Sequence, residues 1–85
     1  MARPSERKTP TTIAFGERVR ARRTELGLTQ EQVAHDANLS WTFFASLERG
    51  ERNVGLSTLL RIAEQLDLRP GELVDDLPVP AKPAG

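Results

Sequence analysis

Residues 27–50 read GLTQEQVAHDANLSWTFFASLERG and predict two short helices joined by a tight turn. Gly27 can end a preceding helix, because glycine adopts the left-handed backbone conformation without a steric penalty. Thr29 and Gln32 have the spacing of a capping box, in which each side chain bonds the backbone amide of the other residue. The apolar residues that follow on one helical face are Val33, Ala34 and Ala37. The first of the two helices is therefore predicted to begin at about Thr29.

The turn and the second helix have equally local signals. Asn38 tolerates the left-handed conformation that a tight turn requires, and Ser40 can cap the next helix. Phe44 and Leu47, three residues apart, are predicted to face inward. The opposite face then carries Trp41, Thr42, Ala45 and Ser46. Two helices so arranged are typical of a helix-turn-helix, which places its second helix in the major groove of DNA.

The chain length predicts one small domain, since 85 residues lie near the lower limit of what a hydrophobic core alone can stabilise. Residues 1–10 are expected to form a flexible arm, residues 11–77 the folded domain, and residues 78–85, with Pro78, Pro80 and Pro83, a disordered tail. The first helix is expected to be capped by Thr11 or Thr12 and to run to about Leu26. The expected core comprises Phe15, Val19, Leu28, Val33, Phe44, Leu47, Leu59, Ile62, Ala63 and Leu66.

The composition argues against several classes of protein. The chain has no cysteine and no tyrosine, and its one histidine, His35, has no evident partner, so no nucleophile–base pair is expected. We therefore expect no enzyme activity, no metal site and no cofactor. Neither a membrane-spanning apolar run nor a signal-peptide core is present in the sequence, which predicts a cytoplasmic protein with no membrane partner.

The net charge is zero, with 12 basic and 12 acidic side chains, but their distribution is uneven. Residues 1–23 carry the basic side chains Arg3, Arg7, Lys8, Arg18, Arg20, Arg22 and Arg23 against Glu6 and Glu17. Residues 61–85 carry Glu64, Asp67, Glu72, Asp75 and Asp76 against Arg61, Arg69 and Lys82. A basic front and an acidic rear are compatible with DNA binding. The alternative is that these charges merely solvate helix faces.

Four segments resemble the Cro/repressor-type (XRE) helix-turn-helix family of bacteria and phages. They are FGERVRARR, GLTQEQVA, LSWTFFASLERGERN and LSTLLRIAEQLDLRPGEL, which occur in the order of the family's helices and cover most of residues 15–73. The resemblance implies an all-α fold, a compact five-helix bundle of the lambda repressor-like type whose helices two and three bind DNA. In size and layout the chain also resembles restriction-modification controller proteins and small phage-type repressors.

The resemblance also implies roles for individual side chains. Base edges would be read by Ser40, Trp41, Thr42 and Ser46. Phosphates would be bound by Gln30, Arg49, Arg52 and Asn53, although Gln30 could also be an ordinary exposed helix former. Arg23 and Glu48 would form an internal salt bridge that sets the angle of the recognition helix.

Trp41 and Arg22 are among the positions that depart from the family pattern, and Phe43 is ambiguous. Trp41 stands where a polar or basic residue is common, and it could pack on thymine methyl groups, on a sugar, or against the protein as a structural ring. Phe43 could lie along the phosphate backbone or cover the helix surface. Arg22 interrupts the apolar stripe of the first helix, so either its stem packs while its head reaches solvent or the helix is rotated.

Two classes of function remain open. The first is a transcriptional regulator that binds double-stranded DNA as a homodimer, on a short palindromic operator, with residues 40–49 as the recognition helix. Its dimer interface would comprise Leu66, Leu68, Leu73, Val74 and Leu77. The second is an antitoxin-like or other interaction module whose C-terminal surface or tail binds a partner protein. No small-molecule effector is expected in either case.

Overall fold

The computed structural model describes residues 8–82 of the chain. This part contains five α-helices and no β-strand. The helices are α1 (Pro10–Glu25), α2 (Gln30–Asp36), α3 (Trp41–Glu48), α4 (Leu56–Gln65) and α5 (Pro70–Val74). The predicted all-α five-helix bundle is confirmed. Most of the predicted arm, residues 1–7, and the end of the predicted tail, residues 83–85, lie outside the described residues. Across residues 8–82, no helix combines the length and the apolar character needed to cross a membrane.

Helix α1 begins slightly earlier than the sequence suggested. Thr9, rather than Thr11 or Thr12, is the N-cap, and its side chain accepts the backbone N–H of Thr12 at 3.1 Å. The Thr12 hydroxyl in turn accepts the Thr9 N–H at 2.9 Å, which completes a capping box. Pro10 occupies the first turn, where its fixed φ suits the helix and its missing N–H costs nothing. Thr9 therefore caps α1, and Pro10 is its first residue.

The predicted start signals of α2 and α3 are confirmed. The Gln32 N–H donates to the Thr29 hydroxyl at 3.1 Å, and the Thr29 N–H donates to the Gln32 side chain at 2.8 Å. Asn38 has the expected positive φ of 61° in the turn, and Ser40 Oγ accepts the Phe43 N–H at 3.1 Å. Local polar chemistry thus sets where both helices of the helix-turn-helix begin.

The core lies where all five helices converge. Its buried members are Phe15, Val19, Val33, Ala34, Ala37, Phe44, Leu47, Ile62, Ala63, Leu66 and Leu73. Leu28 and Leu59, which were predicted to be in the core, are only partly buried against it. The two inward residues of α3, Phe44 and Leu47, are fully buried. Helix α3 is therefore anchored on its inner side by complete apolar burial.

A close approach between α1 and α3 fixes where α3 lies. Gly16 of α1 faces the backbone of α3, and a Cβ atom there would lie 2.5 Å from the carbonyl oxygen of Leu47 and 2.7 Å from that of Glu48. The Thr12 hydroxyl also donates to the carbonyl oxygen of Gly50 at 2.7 Å, just after α3. Only glycine at position 16 permits this crossing.

Arg22 keeps its place in the apolar stripe because its head group bonds carbonyl oxygens at the end of α4. Its Nε donates to the carbonyl oxygen of Leu66 at 2.9 Å and its Nη2 to that of Asp67 at 3.4 Å, both at the C-terminal end of α4. Arg18 Nη1 similarly donates to the carbonyl oxygen of Leu73 in α5 at 3.3 Å. The stem packs while the guanidinium satisfies carbonyls that the helix end leaves free. This favours the first of the two interpretations of Arg22.

Candidate nucleic-acid interface

The outer face of α3 presents a small set of side chains to solvent. Trp41 is 55% exposed, Thr42 and Arg49 are also exposed, and Ala45 is partly buried between them. Together with Gln30 of α2, these residues line a shallow depression of about 310 Å³. The helix-turn-helix thus offers a surface that combines an aromatic ring, a hydroxyl and a cation.

Ser40 lies at the edge of this surface, and its hydroxyl makes one hydrogen bond within the protein. Its Oγ accepts the backbone N–H of Phe43 as the N-cap of α3. A serine hydroxyl carries one donor and two acceptor lone pairs, so its hydrogen remains available to a base. Ser40 therefore stays a candidate base-reading residue.

Ser46 does not belong to the outer face, and its predicted role in base reading is wrong. Its residue is only 4% exposed. The hydroxyl donates to the carbonyl oxygen of Phe43 at 2.7 Å and accepts the Nε–H of Arg52 at 2.9 Å. Ser46 sits beside the buried residue Leu47, on the arc of α3 that turns toward the protein. It holds Arg52 rather than a base.

The predicted partners Arg23 and Glu48 form an ion pair between α1 and α3. Arg23 Nε lies 2.6 Å from Oε2 of Glu48, and Nη2 lies 3.0 Å from Oε1. Arg23 Nη1 also donates to the carbonyl oxygen of Leu28 at 2.8 Å. The hydrogen bond to Glu48 and its charge raise the pKa of Arg23 against the opposing effect of burial, so the guanidinium stays charged. The pair joins α1, the segment before α2 and the end of α3.

Gln30 connects this ion pair to the outer face. Its Nε2 donates to Oε1 of Glu48 at 2.9 Å, and its Oε1 accepts the indole N–H of Trp41 at 3.2 Å. One Nε2 hydrogen remains for a phosphate, because a primary amide has two. Sequence reasoning missed the bond from Trp41 to Gln30, since the two residues are eleven positions apart and no local pattern encodes it.

The loop after α3 places basic side chains beside the outer face. Arg49 pairs with Glu51, at 3.1 Å between Nη2 and Oε1, and this bond raises the pKa of Arg49. The guanidinium of Arg52 lies 5.6 Å from the centre of the Phe43 ring. Phe43 is partly buried against the core, so it covers the helix surface, as one of its two interpretations held. Asn53 follows and is exposed.

Several of the basic side chains in residues 1–23 make contacts within the bundle. Arg18, Arg22 and Arg23 donate to carbonyl oxygens or to Glu48 within the bundle. Arg20 and Lys8 are exposed, whereas Arg3 and Arg7 lie outside the described residues. The basic residues of α1 therefore contribute less to a DNA-facing surface than their number suggests.

The predicted dimer interface needs correction at two of its five residues. In the core of a single chain Leu66 is 0% exposed and Leu73 is 1% exposed, so neither can face a second copy. They fill the contact of α4 and α5 with the rest of the bundle, which a small domain needs for its own stability. The remaining residues, Leu68, Val74 and Leu77, are partly buried or exposed. On α4, Leu56 and Leu60 are exposed one turn apart.

A capped two-helix unit on a small all-α bundle, with an exposed polar and aromatic face on its second helix, defines a helix-turn-helix DNA-binding domain. A family model described as a helix-turn-helix domain matches residues 14–77. The chain is 34% identical over 64 residues to the control protein C.BamHI of Bacillus amyloliquefaciens, covering 74% of this chain and 79% of that protein. The chain therefore belongs to the helix-turn-helix family of DNA-binding transcriptional regulators.

Solved structures with this fold include a controller protein and a repressor. The restriction-modification controller protein C.AhdI of Aeromonas hydrophila is 42% identical, with a TM-score of 0.71, over 73% of this chain and 94% of that one. The P22 c2 repressor, solved in complex with a synthetic operator, is 30% identical, with a TM-score of 0.68, over 72% of this chain and 92% of that one. The resemblance to the Cro/repressor type and to controller proteins is thereby confirmed.

Proposed function

We propose that this regulator binds a short palindromic operator as a homodimer, with α3 in the major groove. The observation that carries the proposal is the outer face of α3, where Trp41 and Thr42 are exposed while the buried pair Arg23–Glu48 fixes the helix from behind. A side chain can discriminate among bases only if its helix is held in one position, and that is what the ion pair supplies.

The dimensions of α3 suit this role. An α-helix with its side chains is about 10–12 Å in diameter, and the major groove of B-DNA is about 12 Å wide. Ser40, Trp41 and Thr42 would reach base edges, at the start of the helix where such contacts usually lie. Gln30, Arg49, Arg52 and Asn53 would bind the flanking phosphates and fix the register on the duplex. Each good base contact would contribute about 1–3 kcal/mol of discrimination.

A homodimer is proposed because one short helix reads too few base pairs for a unique site, and two half-sites about one turn apart multiply the specificity. Its surface would include the exposed face of α4, Leu56 and Leu60, together with Val74 and Leu77 from the earlier set. Val74 and Leu77 line a groove of about 190 Å³ with Leu59 and Val54, so apolar surface extends from α5 toward the start of α4. Burial of this surface would add to a small core.

The regulator would act in the cytoplasm, where the DNA of bacteria and phages is transcribed, and by binding rather than by catalysis. The similarity to a control protein and to a repressor supports control of transcription.

The test is selection of duplexes from a random library by the purified protein, followed by a salt titration on the enriched sequence. We expect a two-fold symmetric consensus whose affinity falls steeply with salt, because each neutralised phosphate releases a counterion. Trp41→Ala combined with Thr42→Ala should abolish enrichment, whereas Val79→Ala, at an exposed apolar position outside the helices, should leave it unchanged. A folded protein that enriches no duplex would overturn the proposal and favour the antitoxin-like alternative.

A further inference from the structure

Trp41 occupies the first position of α3 with its ring half in solvent and its only polar atom engaged. The indole Nε1–H donates to Oε1 of Gln30 at 3.2 Å. Indole carries a single donor and no acceptor. Once this hydrogen is used within the protein, the exposed part of Trp41 has no hydrogen bond to offer to a base.

The orientation of the ring is set from the interior. The side-chain nitrogen of Gln30 donates to Glu48 at 2.9 Å. The side-chain oxygen of Gln30 is therefore the atom that accepts the indole N–H. Glu48 is in turn held by Arg23, and its side chain is only 2% exposed. The chain of bonds from Arg23 through Glu48 and Gln30 to Trp41 therefore fixes which edge of the ring faces outward.

The depression beside the exposed ring has both apolar and polar lining residues. The depression beside Trp41 is lined by Thr42 and Ala45, which bring methyl groups, while Gln30 and Arg49 lie at the same depression with polar heads. Its volume of about 310 Å³ is open to solvent and far exceeds a methyl group. A small apolar group on a base edge could enter it while the phosphates lie toward Arg49.

We infer that Trp41 reads the 5-methyl group of a pyrimidine in the major groove, and that it does so through the carbon edge of an indole fixed by Gln30. The inference rests on the proposed operator binding by α3. In the major groove the C5-methyl group distinguishes thymine, and a methyl at the same carbon of cytosine presents the same chemistry. Trp41 is thus a specificity-determining residue that works by apolar contact rather than by hydrogen bonding.

The test begins with the selected operator, in which each thymine is replaced singly by deoxyuridine, which lacks only the methyl group. For the unmodified protein we expect a loss of affinity of about fourfold at one position in each half-site, as burial of one methyl group predicts. Trp41→Ala should bind the thymine and deoxyuridine duplexes equally at that position. Val79→Ala, at an exposed apolar position outside the helices, is the control, and it should retain the fourfold ratio there.

A second arm identifies the source of the methyl group. At the sensitive position the thymine is replaced by cytosine and by 5-methylcytosine, each paired with guanine. We expect 5-methylcytosine to bind more tightly than cytosine by about the same fourfold factor, and Trp41→Ala to remove the difference. Trp41→Phe, which keeps a ring but loses the bond to Gln30, should give a smaller ratio than the unmodified protein.

The outcomes separate the two proposals. If a symmetric operator is enriched but no deoxyuridine substitution weakens binding, or if Trp41→Ala keeps the full ratio, the assignment of Trp41 is wrong while operator binding stands. If no duplex is enriched at all, operator binding itself is wrong and the assignment fails with it. Retention of helical circular dichroism by Trp41→Ala and Trp41→Phe shows that any change arises at the interface.

Discussion

Arg23 and Glu48 meet in a bidentate ion pair, with Arg23 Nε 2.6 Å from one carboxylate oxygen of Glu48 and Nη2 3.0 Å from the other. Glu48 is the last residue of α3, and Arg23 lies near the end of α1. The pair therefore holds the C-terminal end of α3 against α1, the longest helix of the bundle. A fork-shaped guanidinium restricts the relative angle of two helices more than a single hydrogen bond would.

Removal of one partner should be costly. Glu48→Ala leaves the partly buried Arg23 guanidinium without its counter-ion, and we expect a loss of about 2–4 kcal/mol in the free energy of unfolding. Urea denaturation followed by circular dichroism measures it. Glu25→Ala is the control, because Glu25 pairs with Arg22 at an exposed site and should cost below about 1 kcal/mol. Equal losses in the two variants would show that the buried pair has no special structural role.

Gly16→Ala should destabilise the crossing of α1 and α3. The new Cβ would meet two backbone carbonyl oxygens, those of Leu47 and Glu48, which cannot move without shifting α3. We expect a loss of about 1–3 kcal/mol, in spite of the higher helix propensity of alanine. Gly71→Ala is the matched control, since Gly71 lies within α5 and the nearest atom to its Cβ position, on the Asp75 carboxylate, is at an ordinary contact distance of 3.6 Å. Thermal unfolding should separate the two variants, and similar melting temperatures would contradict the close approach.

Arg52→Ala should weaken DNA binding on all sequences to a similar degree. Its guanidinium lies in the loop after α3, bonded to Ser46 and stacked near Phe43, where it would face a phosphate rather than a base. We expect the slope of log affinity against log salt to fall by about one. Arg69→Ala, at an exposed arginine before α5, should leave the slope unchanged. A change in sequence preference with Arg52→Ala would instead place this side chain at a base.

Thr42 and Ser46 should respond differently to the same substitution. Thr42→Ala removes an exposed hydroxyl from the outer face of α3, so the sequence preferred in a selection should change while stability is kept within about 0.5 kcal/mol. Ser46→Ala removes a buried hydroxyl and its two hydrogen bonds, so stability should fall by about 1 kcal/mol and the preferred sequence should persist. Selection and unfolding on both variants check this, and a reversed pattern would restore Ser46 to the base-reading set.

The dimer surface can be tested on α4. Leu60→Asp places a charge on a leucine that is 53% exposed, and we expect a folded monomer in sedimentation. Leu73→Asp places a charge in the core, and we expect loss of the fold rather than of the dimer. Val79→Asp controls for added charge at an exposed apolar residue outside the helices. An unchanged mass for a folded Leu60→Asp would move the interface away from α4.

The features that the sequence predicted correctly depend on neighbours along the chain. The capping box of Thr29 and Gln32, the left-handed Asn38 and the cap at Ser40 each require only residues within three positions. Apolar periodicity likewise predicted that Phe44 and Leu47 face inward. Such signals are enough to place the helices of a small all-α domain.

The features that the sequence did not predict depend on how separate segments of the chain pack together. Ser46 is polar, yet it faces inward because α3 lies in close contact with the loop that carries Arg52. A leucine is expected both in a hydrophobic core and at a dimer interface. The sequence therefore did not show that Leu66 and Leu73 belong to the core. Gly16 carried no signal, because its function is to make room for the backbone of another helix. These assignments require the three-dimensional packing.

Trp41 also gives the molecule a natural optical reporter. The chain has one tryptophan and no tyrosine, so its tryptophan emission arises from a single ring, and that ring lies on the outer face of α3. Transfer of a half-exposed indole from water into a groove of the double helix changes its quenching and its emission maximum. Encounter with DNA can thus be followed by intrinsic fluorescence in real time, without a label.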